Sequence, residues 1–382
     1  MKLHIMRTFG LLLCGIMLLI SCHDEPTPHI STQTIIILMP WSSNLKPFFD
    51  DNIDDMAKAI AEGTLIDERV IVCMATSERK ALLIELKSDR YSCIRDTLHV
   101  FDNINFTASS NLTKLLAYVE KTATAHHYAM IVSGHGMAWL PSGTTPARVP
   151  RLQQEARPLT RWIGGLTNDT QIEITTLAEG IRLSGLHMDY ILFDDCYMSS
   201  VEVVYELREM TDYIIGCPTE IMAYGFPYHL CLQHLRGSAN YQQLCEVFYS
   251  FYSQYEVPCG TMAVTDCKQL EALAAIARTI NSMTAKEKPF YGSIQTTDGF
   301  KPPVFYDLGD TYRQLCADSI LLTNFMKQLD KVVPFKTCTE YYFTSTGGYQ
   351  KINFFSGLNT SQPSTHPATA SWTSTKWYQD TH

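Results

Sequence analysis

The chain carries few charges and no excess of basic residues. Charged residues make up 18% of its 382 residues, and the formal net charge is -9 at pH 7. Proteins that bind nucleic acids present clustered lysine and arginine, so this balance argues against a nucleic-acid partner. With 46% hydrophobic residues, the chain is expected to fold, and it is long enough for one large core and a smaller second unit.

Cysteine motifs for metal binding or redox chemistry are missing as well. None of the 12 cysteines forms a CxxC pair, and Cys73, Cys217 and Cys267 lie in or beside apolar runs, as buried structural thiols do. We therefore expect few or no disulfides. Five isolated histidines lack the spacing of metal ligands and are expected at the surface or hydrogen-bonded: His126, His127, His187, His229 and His234. The sequence predicts no metal ion and no cofactor.

The first apolar run, Phe9–Ile20, is too short to cross a bilayer as a helix. Lys2 and Arg7 lie in front of it, which is the order found in a signal peptide. The segment Leu19-Ile20-Ser21-Cys22 then resembles a bacterial lipoprotein signal, with Cys22 as the lipidated first residue of the mature chain. A simple cleaved secretory signal is the alternative.

Residues 1–21 are accordingly predicted to be a signal peptide, and residues 22–32 a lipidated polar tether. Several acyl chains on one cysteine anchor a protein stably, whereas a single chain is marginal. His23 stands where an aspartate would mark inner-membrane retention. We expect an exported protein that is lipid-anchored to the bacterial outer membrane or cell surface.

The middle of the chain alternates strand and helix patterns. Apolar runs typical of strands occur at residues 34–39, 69–75 and 212–217. Helical patterns occur at residues 52–62 and 110–122, and capping-box spacing at Thr176–Glu179 and Ser199–Glu202 predicts two more helix starts. Repeated β-α-β order predicts an α/β fold with a mainly parallel sheet. Residues 140–172, with four prolines, predict a long loop.

The chain beyond residue 265 has a different pattern. Helices are expected at residues 268–282 and 310–330, and strands at residues 341–343 and 352–355. We therefore expect a smaller α+β region at the C-terminus.

Two apolar strands end in reactive side chains. Tyr128–Ser133 runs into Gly134-His135-Gly136, and Tyr190–Asp194 runs into Asp195-Cys196. Residues just past the carboxyl ends of parallel strands face the crevice where open α/β sheets bind their ligands. His135 and Cys196 are therefore predicted to share one crevice.

The predicted neighbours of Cys196 have opposite effects on the ionisation of its thiol. A nearby helix start would favour the thiolate, whereas Asp194 and Asp195 would disfavour it, so at most one of them should touch the sulfur. His135 is the expected ion-pair partner or general acid and base, and the Gly136 N–H is an expected oxyanion donor. Taken singly, a packed cysteine and a Gly-His-Gly turn are the ordinary interpretations. Their joint placement at two strand ends favours chemistry.

These motifs resemble those of a known family. Ser133-Gly134-His135-Gly136 and Phe193–Met198 are similar to the histidine and cysteine motifs of the clostripain-like cysteine peptidases, relatives of caspases, gingipains and legumains. Further similar segments are Cys217–Glu220, Gly225–Tyr228, Tyr306–Asp310 and Ser356–Leu358. The resemblance covers most of residues 34–382.

The resemblance implies a caspase-like αβα sandwich, with a catalytic domain at residues 33–264 and a C-terminal region at residues 265–382 packing on it. It implies peptide-bond hydrolysis through an acyl-enzyme, in which Cys196 attacks and His135 protonates the leaving amine. Family members cut after arginine or lysine, which implies that Asp194 lines an acidic S1 pocket, with Thr219 beside it. A strand-end aspartate bonded to backbone N–H groups is the alternative for Asp194.

Other implications of the resemblance concern regulation. Self-cleavage in the loop beyond the histidine implies processing at Arg148, Arg151, Arg157 or Arg161, with a solvated loop surface as the alternative. Part of the family depends on calcium, but no acidic run here identifies a site. Asp195 departs from the family, which commonly has a small residue there; it is expected to narrow the pocket, add acidity or face solvent.

We therefore expect a surface lipoprotein that is a cysteine endopeptidase, acts as a monomer and takes proteins or peptides with arginine or lysine at P1. One alternative is a non-catalytic lipoprotein that binds peptide or glycan on the same scaffold. Another is a peptidase of the same fold with asparaginyl specificity. A binding module has no need to retain both His135 and Cys196, which favours the enzyme. Acidic neighbours of Cys196 and the missing caspase pentapeptide argue against cleavage after aspartate.

Overall fold

The computed structural model describes residues 29–143, 163–284 and 294–382 of the chain. The predicted signal peptide and Cys22 lie outside the described residues, as do the four processing candidates Arg148, Arg151, Arg157 and Arg161. Ser31–His382 form one compact unit. No helix among the described residues is long and apolar enough to cross a membrane.

The strands of the described residues, in chain order, are β1 (Ser31–Met39), β2 (Glu68–Ser77), β3 (Lys80–Asp89), β4 (Ser92–Asp102), β5 (Ala125–Ser133), β6 (Ile163–Gly164), β7 (Gln171–Ile172), β8 (Met188–Asp194), β9 (Thr211–Gly216), β10 (Thr261–Asp266), β11 (Tyr306–Asp307), β12 (Phe335–Cys338), β13 (Tyr341–Thr344), β14 (Gly348–Lys351) and β15 (Asn359–Thr360). The α-helices are α1 (Lys46–Ala61), α2 (Ser109–Thr122), α3 (Ile174–Ser184), α4 (Val201–Leu207), α5 (Tyr228–Leu235), α6 (Tyr241–Tyr252), α7 (Leu270–Thr284), α8 (Leu308–Leu315), α9 (Ser319–Val332) and α10 (Lys376–Thr381).

Nine of the described strands form one sheet, in the order β12-β10-β9-β8-β5-β1-β2-β3-β4. Its central strands β9, β8, β5, β1 and β2 run parallel to one another. Antiparallel pairs extend the sheet on both sides, β10 and β12 beyond β9, and β3 and β4 beyond β2. The predicted mainly parallel sheet is confirmed. The carboxyl ends of the parallel strands therefore meet at one edge, where such sheets bind ligands.

Burial on both faces explains the continuous apolar runs of the central strands. Ile35–Met39 of β1 and Tyr190–Phe193 of β8 are fully buried, as expected for strands covered on both sides. The helices form two contacting series, α1-α5-α6 and α2-α3-α4-α10-α7-α9. The result is the expected αβα sandwich with small additional strands towards the C-terminus.

The antiparallel edge formed by β3 and β4 was not predicted from the sequence. Strand β4 alternates exposed and half-buried residues and ends the sheet. Charged side chains lie along it, and Asp96 pairs with Lys87 of β3 at 2.6 Å. Charges on an edge strand oppose pairing with another chain. Strand β4 has one neighbouring strand, and only one of its own faces packs against the protein. Its apolar pattern is therefore weak.

Four local predictions were wrong. The capping box expected at Ser199–Glu202 is absent, because α4 begins at Val201 after Ser200 and has no side-chain cap. Helix α3 begins at Ile174, so the Thr176–Glu179 spacing lies inside the helix and caps nothing there. The single helix expected at residues 310–330 is two helices, because Asp318 accepts hydrogen bonds from Ile320 and Leu321 and starts α9. Residues 352–355 lie beyond the end of β14, and the Phe354 ring packs under the Arg313 guanidinium at 4.8 Å. Local capping and packing override the strand and helix patterns at these places.

The C-terminal region is tied into the sheet and into α4. Strand β12 pairs with β10, and Asn359 of β15 forms a parallel bridge with Ser200. The carboxylate of Glu202 in α4 accepts hydrogen bonds from Thr360 Oγ1 at 2.8 Å and Trp372 Nε1 at 2.8 Å. Residues far apart in sequence therefore fix the helix that follows Cys196.

Candidate active site

The two reactive strand ends lie side by side. Strands β5 and β8 are parallel neighbours, and their register pairs Ser133 with Asp194. The loops that begin at Gly134 and Asp195 consequently leave the same edge of the sheet. His135 and Cys196 both line one pocket above that edge, which encloses about 380 Å³ including its open mouth. The predicted shared crevice is present in the structure.

His135 is held by backbone and side-chain contacts. Its N–H donates to the Gly164 carbonyl and its carbonyl accepts from the Gly164 N–H, both at 3.1 Å. The imidazole is 3% exposed, and its Nε2 lies 3.1 Å from Asn44 Oδ1. Ser42 Oγ donates to the same oxygen at 3.2 Å, and an amide oxygen can only accept. Nε2 is therefore the protonated nitrogen in this contact, and proton exchange falls to Nδ1.

Cys196 is buried against the backbone of Ile221. Its side chain is 5% exposed; the Ile221 N–H donates to Sγ at 3.4 Å, and the thiol donates to the Ile221 carbonyl at 3.7 Å. Burial raises the pKa of the Cys196 thiol, the Glu220 charge raises it further, and the Ile221 N–H lowers it. Helix α4 begins only at Val201, so the expected helix start does not reach the sulfur. Burial and the Glu220 charge therefore favour the neutral thiol in the free protein.

Tyr197, directly after Cys196, has a left-handed backbone with φ of 64°. A bulky residue adopts this conformation only where surrounding contacts enforce it, and such residues cluster at functional sites. The Tyr197 ring stacks on Phe305 with centroids 5.0 Å apart. Its hydroxyl donates to Glu220 Oε1 at 2.7 Å, and its N–H donates to the Thr219 carbonyl at 3.0 Å. These contacts turn the chain sharply at the cysteine.

Asp194 lies in the wall of the same pocket. Its Oδ1 accepts from the Phe226 N–H at 3.1 Å and its Oδ2 from the Tyr228 hydroxyl at 2.8 Å. Gly225, at φ 73°, packs so closely that an ideal Cβ there would lie 2.7 Å from Asp194 Cγ, which explains the glycine. Burial raises the pKa of Asp194 to about 7, although the two hydrogen bonds lower it. Asp194 is therefore bonded to the backbone, as its alternative interpretation expected, and it also lines the pocket; its place in an S1 pocket stays a prediction.

Asp195 is fully buried, with 0% exposure, and is not part of the pocket wall. The expectation that it faces solvent is wrong. Among the described residues no hydrogen bond of ordinary geometry reaches its carboxyl oxygens. Burial and the neighbouring Asp194 raise its pKa, while the Gly134 N–H lowers it. Burial and the neighbouring Asp194 thus favour the neutral form of Asp195.

Gly136 packs directly on the backbone of the cysteine loop. An ideal Cβ at this position would lie 2.7 Å from Asp195 Cβ and would overlap the Cys196 carbonyl oxygen. The glycine thereby allows the histidine and cysteine loops to touch. Its N–H donates to no other group in the described part of the chain. That donor is thus available beside Cys196.

Thr219 lies away from the pocket. Its side chain is buried, and its Oγ1 lies 2.6 Å from Thr261 Oγ1. The described residues that line the pocket do not include it. The Thr219 carbonyl, rather than its hydroxyl, supports the site, because it accepts a hydrogen bond from the Tyr197 N–H. The structure brings together His135, Gly136, Cys196 and Asp194 but leaves the Thr219 side chain outside.

Sequence reasoning missed Asn44, Glu220 and Ile221. Asn44 follows strand β1, and the other two follow β9, so all three lie beyond carboxyl ends of parallel strands. The strand-end argument used for His135 and Cys196 therefore also applied to them. What the sequence lacked was a reason to prefer these residues over their neighbours.

Metal ligands do not cluster in the described residues, where no three His, Cys, Asp or Glu side chains could together hold an ion. Three of the isolated histidines instead contact a carboxylate: His127 with Asp189 at 3.1 Å, His187 with Asp212 at 3.2 Å and His229 with Asp55 at 3.2 Å. The ten cysteines in the described ranges are all unpaired. The chemistry available at the pocket is that of a thiol, an imidazole and a carboxylate.

Fold and site define a cysteine peptidase of caspase-like architecture, and comparison with known proteins agrees. The clostripain family model matches residues 38–380. A secreted C11 cysteine protease of Bacteroides thetaiotaomicron, iotapain, is 41% identical, with a TM-score of 0.84 over 93% of this chain and 100% of that one. The chain therefore belongs to the clostripain family of cysteine peptidases.

Two further structures are similar. A clostripain of Bacteroides thetaiotaomicron, solved with a peptide inhibitor, is 48% identical over 58% of this chain and 99% of that one, with a TM-score of 0.54. An inactive zymogen of a C11 protease from Parabacteroides distasonis is 25% identical over 93% of this chain and 99% of that one, with a TM-score of 0.77. A search of curated protein sequences gave no match.

Proposed function

We propose that the protein is an endopeptidase that cleaves after arginine or lysine, using Cys196 as nucleophile and His135 as acid and base. The observation that carries this proposal is the single pocket lined by Cys196, His135 and the Asp194 carboxylate. A thiol, an imidazole and a buried carboxylate suffice for attack, proton transfer and recognition of a cationic side chain.

The reaction follows from the two loops. His135 Nδ1 takes the Cys196 proton as sulfur attacks the scissile carbonyl carbon, and the Gly136 N–H donates to the oxyanion. When the C–N bond breaks, the imidazolium gives its proton to the leaving amine. Water then attacks the thioester while His135 takes its proton; the C–S bond breaks, and sulfur recovers a proton from the imidazolium. The neutral thiol of the free protein fits this sequence, because the base acts only once substrate is bound.

Asp194 supplies the preference for basic residues. A guanidinium or ammonium entering the pocket would pair with a carboxylate that is already oriented by Phe226 and Tyr228. The related clostripain was solved with the inhibitor BTN-VLTK-AOMK, whose peptide ends in lysine, and this supports a basic P1 residue. Asparaginyl specificity is the competing outcome, since an amide needs no charge in the pocket.

Reporter peptides that differ only at P1 test the proposal. The protein without residues 1–22 is incubated with arginine, lysine, asparagine and aspartate reporters beside Cys196→Ala and Asp194→Asn. We expect cleavage after arginine and lysine, no turnover by Cys196→Ala, and a loss of about a hundredfold or more in kcat/KM by Asp194→Asn, as for one lost partner of a buried charge pair. Equal turnover by Cys196→Ala would exclude the dyad, and preference for asparagine would exclude the role of Asp194.

Export with lipid anchoring at Cys22 is part of the same proposal. The related iotapain is secreted, and the Leu19–Cys22 motif supports attachment to the membrane surface. Labelling with a palmitate analogue should modify the wild-type chain and spare Cys22→Ser. Equal labelling of both proteins would exclude this anchor.

Maturation by self-cleavage at Arg148, Arg151, Arg157 or Arg161 is also proposed, and the zymogen of the Parabacteroides relative supports it. Mass spectrometry of aged wild-type protein should find cuts after one or more of these arginines, and none in Cys196→Ala. An intact loop in fully active enzyme would rule out this step.

A further inference from the structure

Glu220 lies between the cysteine loop and the hairpin formed by β13 and β14. Its side chain is 2% exposed. Oε1 accepts from the Tyr197 hydroxyl at 2.7 Å and from Ser345 Oγ at 3.2 Å, while Oε2 accepts from the Ser345 N–H at 2.9 Å. A buried carboxylate with three donors on two separate chain segments has one favoured orientation.

The carboxyl group reaches both sides of the nucleophile. Tyr197 follows Cys196 in the chain, and Ile221, whose N–H and carbonyl contact the sulfur, follows Glu220. One side chain thus fixes the strained residue after the cysteine and the backbone that faces its sulfur.

The turn at residues 298–304 packs against the β13–β14 hairpin, whose Ser345 contacts Glu220. The Asp298 carboxylate accepts from the Phe300 and Val304 N–H groups at 2.7 and 2.9 Å. Gly299, next in the chain, packs so closely on the hairpin that an ideal Cβ would lie 2.9 Å from the Gly347 nitrogen. The C-terminal region therefore supports the hairpin from which Ser345 contacts Glu220.

We propose that Glu220 is a positioning residue for Cys196: it holds Tyr197 in its left-handed conformation and the Ile221 N–H against the sulfur, and Ser345 holds Glu220. This inference rests on the proposed role of Cys196 as nucleophile. It makes the β13–β14 hairpin, far from Cys196 in sequence, part of the support of the active site.

The charge of Glu220 gives this role a distinctive signature. The groups that face Cys196 are Glu220, Asp195, Cys217 and, across the pocket, His135. After burial, the charge of Glu220 has the largest effect in raising the pKa of the thiol, and Cys217 and Asp195 contribute less. Removing the charge should lower that pKa, whereas loosening the loop should slow catalysis. A merely structural carboxylate would not produce both changes together.

Neighbours of Glu220 itself are Tyr197 and Ser345, with Asp298 and Tyr342 further away. Burial raises the pKa of both Glu220 and Asp298 to about 7. Asp298 is the matched control: it is about as buried as Glu220, and its substitution would loosen the turn that packs on the same hairpin without removing a charge that acts on the Cys196 thiol.

The test compares full-length wild type, Glu220→Gln and Asp298→Asn, purified in detergent. Alkylation of Cys196 by iodoacetamide is followed across pH by peptide mass spectrometry, beside kcat/KM for an arginine reporter and the Tm. For Glu220→Gln we expect an alkylation midpoint at lower pH and kcat/KM about tenfold to a hundredfold lower, as for loss of a hydrogen bond to a charged group. Asp298→Asn should lower the Tm and leave the midpoint unchanged.

An unchanged kcat/KM in Glu220→Gln, or a midpoint that matches Asp298→Asn, would overturn the proposal. If Glu220→Gln does not fold, Tyr197→Phe and Ser345→Ala carry the test, since each removes one donor and keeps the charge; both should lower kcat about threefold or more, and unchanged kcat in both overturns it. Activity retained by Cys196→Ala would instead show that Cys196 is not the nucleophile. That failure of the proposed function is distinguishable, because it does not depend on the alkylation midpoint of Glu220→Gln.

Discussion

The loops that carry His135 and Cys196 leave neighbouring strands but are held in different ways. The histidine loop is fixed by backbone pairing with Gly164 and by Asn44. The cysteine loop is fixed by buried side chains, above all the Tyr197 ring on Phe305 and its hydroxyl on Glu220. The acid-base group is thus held mainly by backbone pairing and one amide, whereas the nucleophile depends on buried aromatic and carboxylate side chains.

Gly136→Ala should have the largest effect, because it breaks the contact between the two loops. The new Cβ would overlap the Cys196 carbonyl oxygen, so one loop must move, and a displacement of about 1 Å costs roughly a hundredfold in rate. The measurement is kcat/KM for an arginine reporter. Gly185→Ala is the control: that glycine caps α3 at φ 77° with open space around it, so the substitution should cost about 1 kcal/mol of stability and leave activity intact. Equal activity losses in both variants would contradict the loop contact.

Asn44→Ala should come next, since it removes the side-chain support of the histidine loop. The variant loses the acceptor for His135 Nε2, and a hydrogen bond to a group that becomes charged contributes about 1.5 to 3 kcal/mol. We expect kcat to fall about tenfold or more with little change in KM. A change confined to KM would place Asn44 in substrate binding instead.

Phe305→Leu weakens the cysteine loop from the C-terminal side. The stacked ring under Tyr197 is lost, and aromatic pairs contribute about 0.5 to 1.5 kcal/mol beyond their buried area. We expect a lower Tm and a decrease in kcat of a few fold, with the P1 preference retained. Thermal unfolding and steady-state kinetics check this, and a lower Tm with unchanged kcat would show that the ring supports the fold but not the nucleophile.

A small change of pH around neutrality should give the smallest effect, because at its pKa of about 7 only half of the Asp194 carboxyl is protonated. Burial raises the pKa of Asp194 to about 7, so the carboxyl is neutral below that pH and ionised above it. Cleavage after arginine should therefore increase as the pH rises through about 7, because only the ionised form pairs with the guanidinium. The residual activity of Asp194→Asn should lack this step. A wild-type profile that stays level through the same range would argue against a charged Asp194 in recognition.

Much of the fold was predictable because its causes are local. Continuous apolar runs identified β1, β2, β5, β8 and β9, since strands buried on both faces need little besides apolar side chains. Strands β3 and β4 were missed. An edge hairpin is half-exposed, so the apolar pattern of its residues does not predict its strand pairing. The end of α8 before Cys316 was missed, because the helical pattern continues through it. The Asp318 side chain starts a new helix there, α9.

The sequence by itself determined that a thiol and an imidazole stand at the ends of two apolar strands, and the family motifs predicted their roles. Only the tertiary structure decided their environment. It buried Asp195, removed the Thr219 side chain from the pocket and turned Asp194 into it. It also brought Ser345 to Glu220. Burial and the pKa of a group depend on what packs against it from the whole chain, and that information is absent from any single segment.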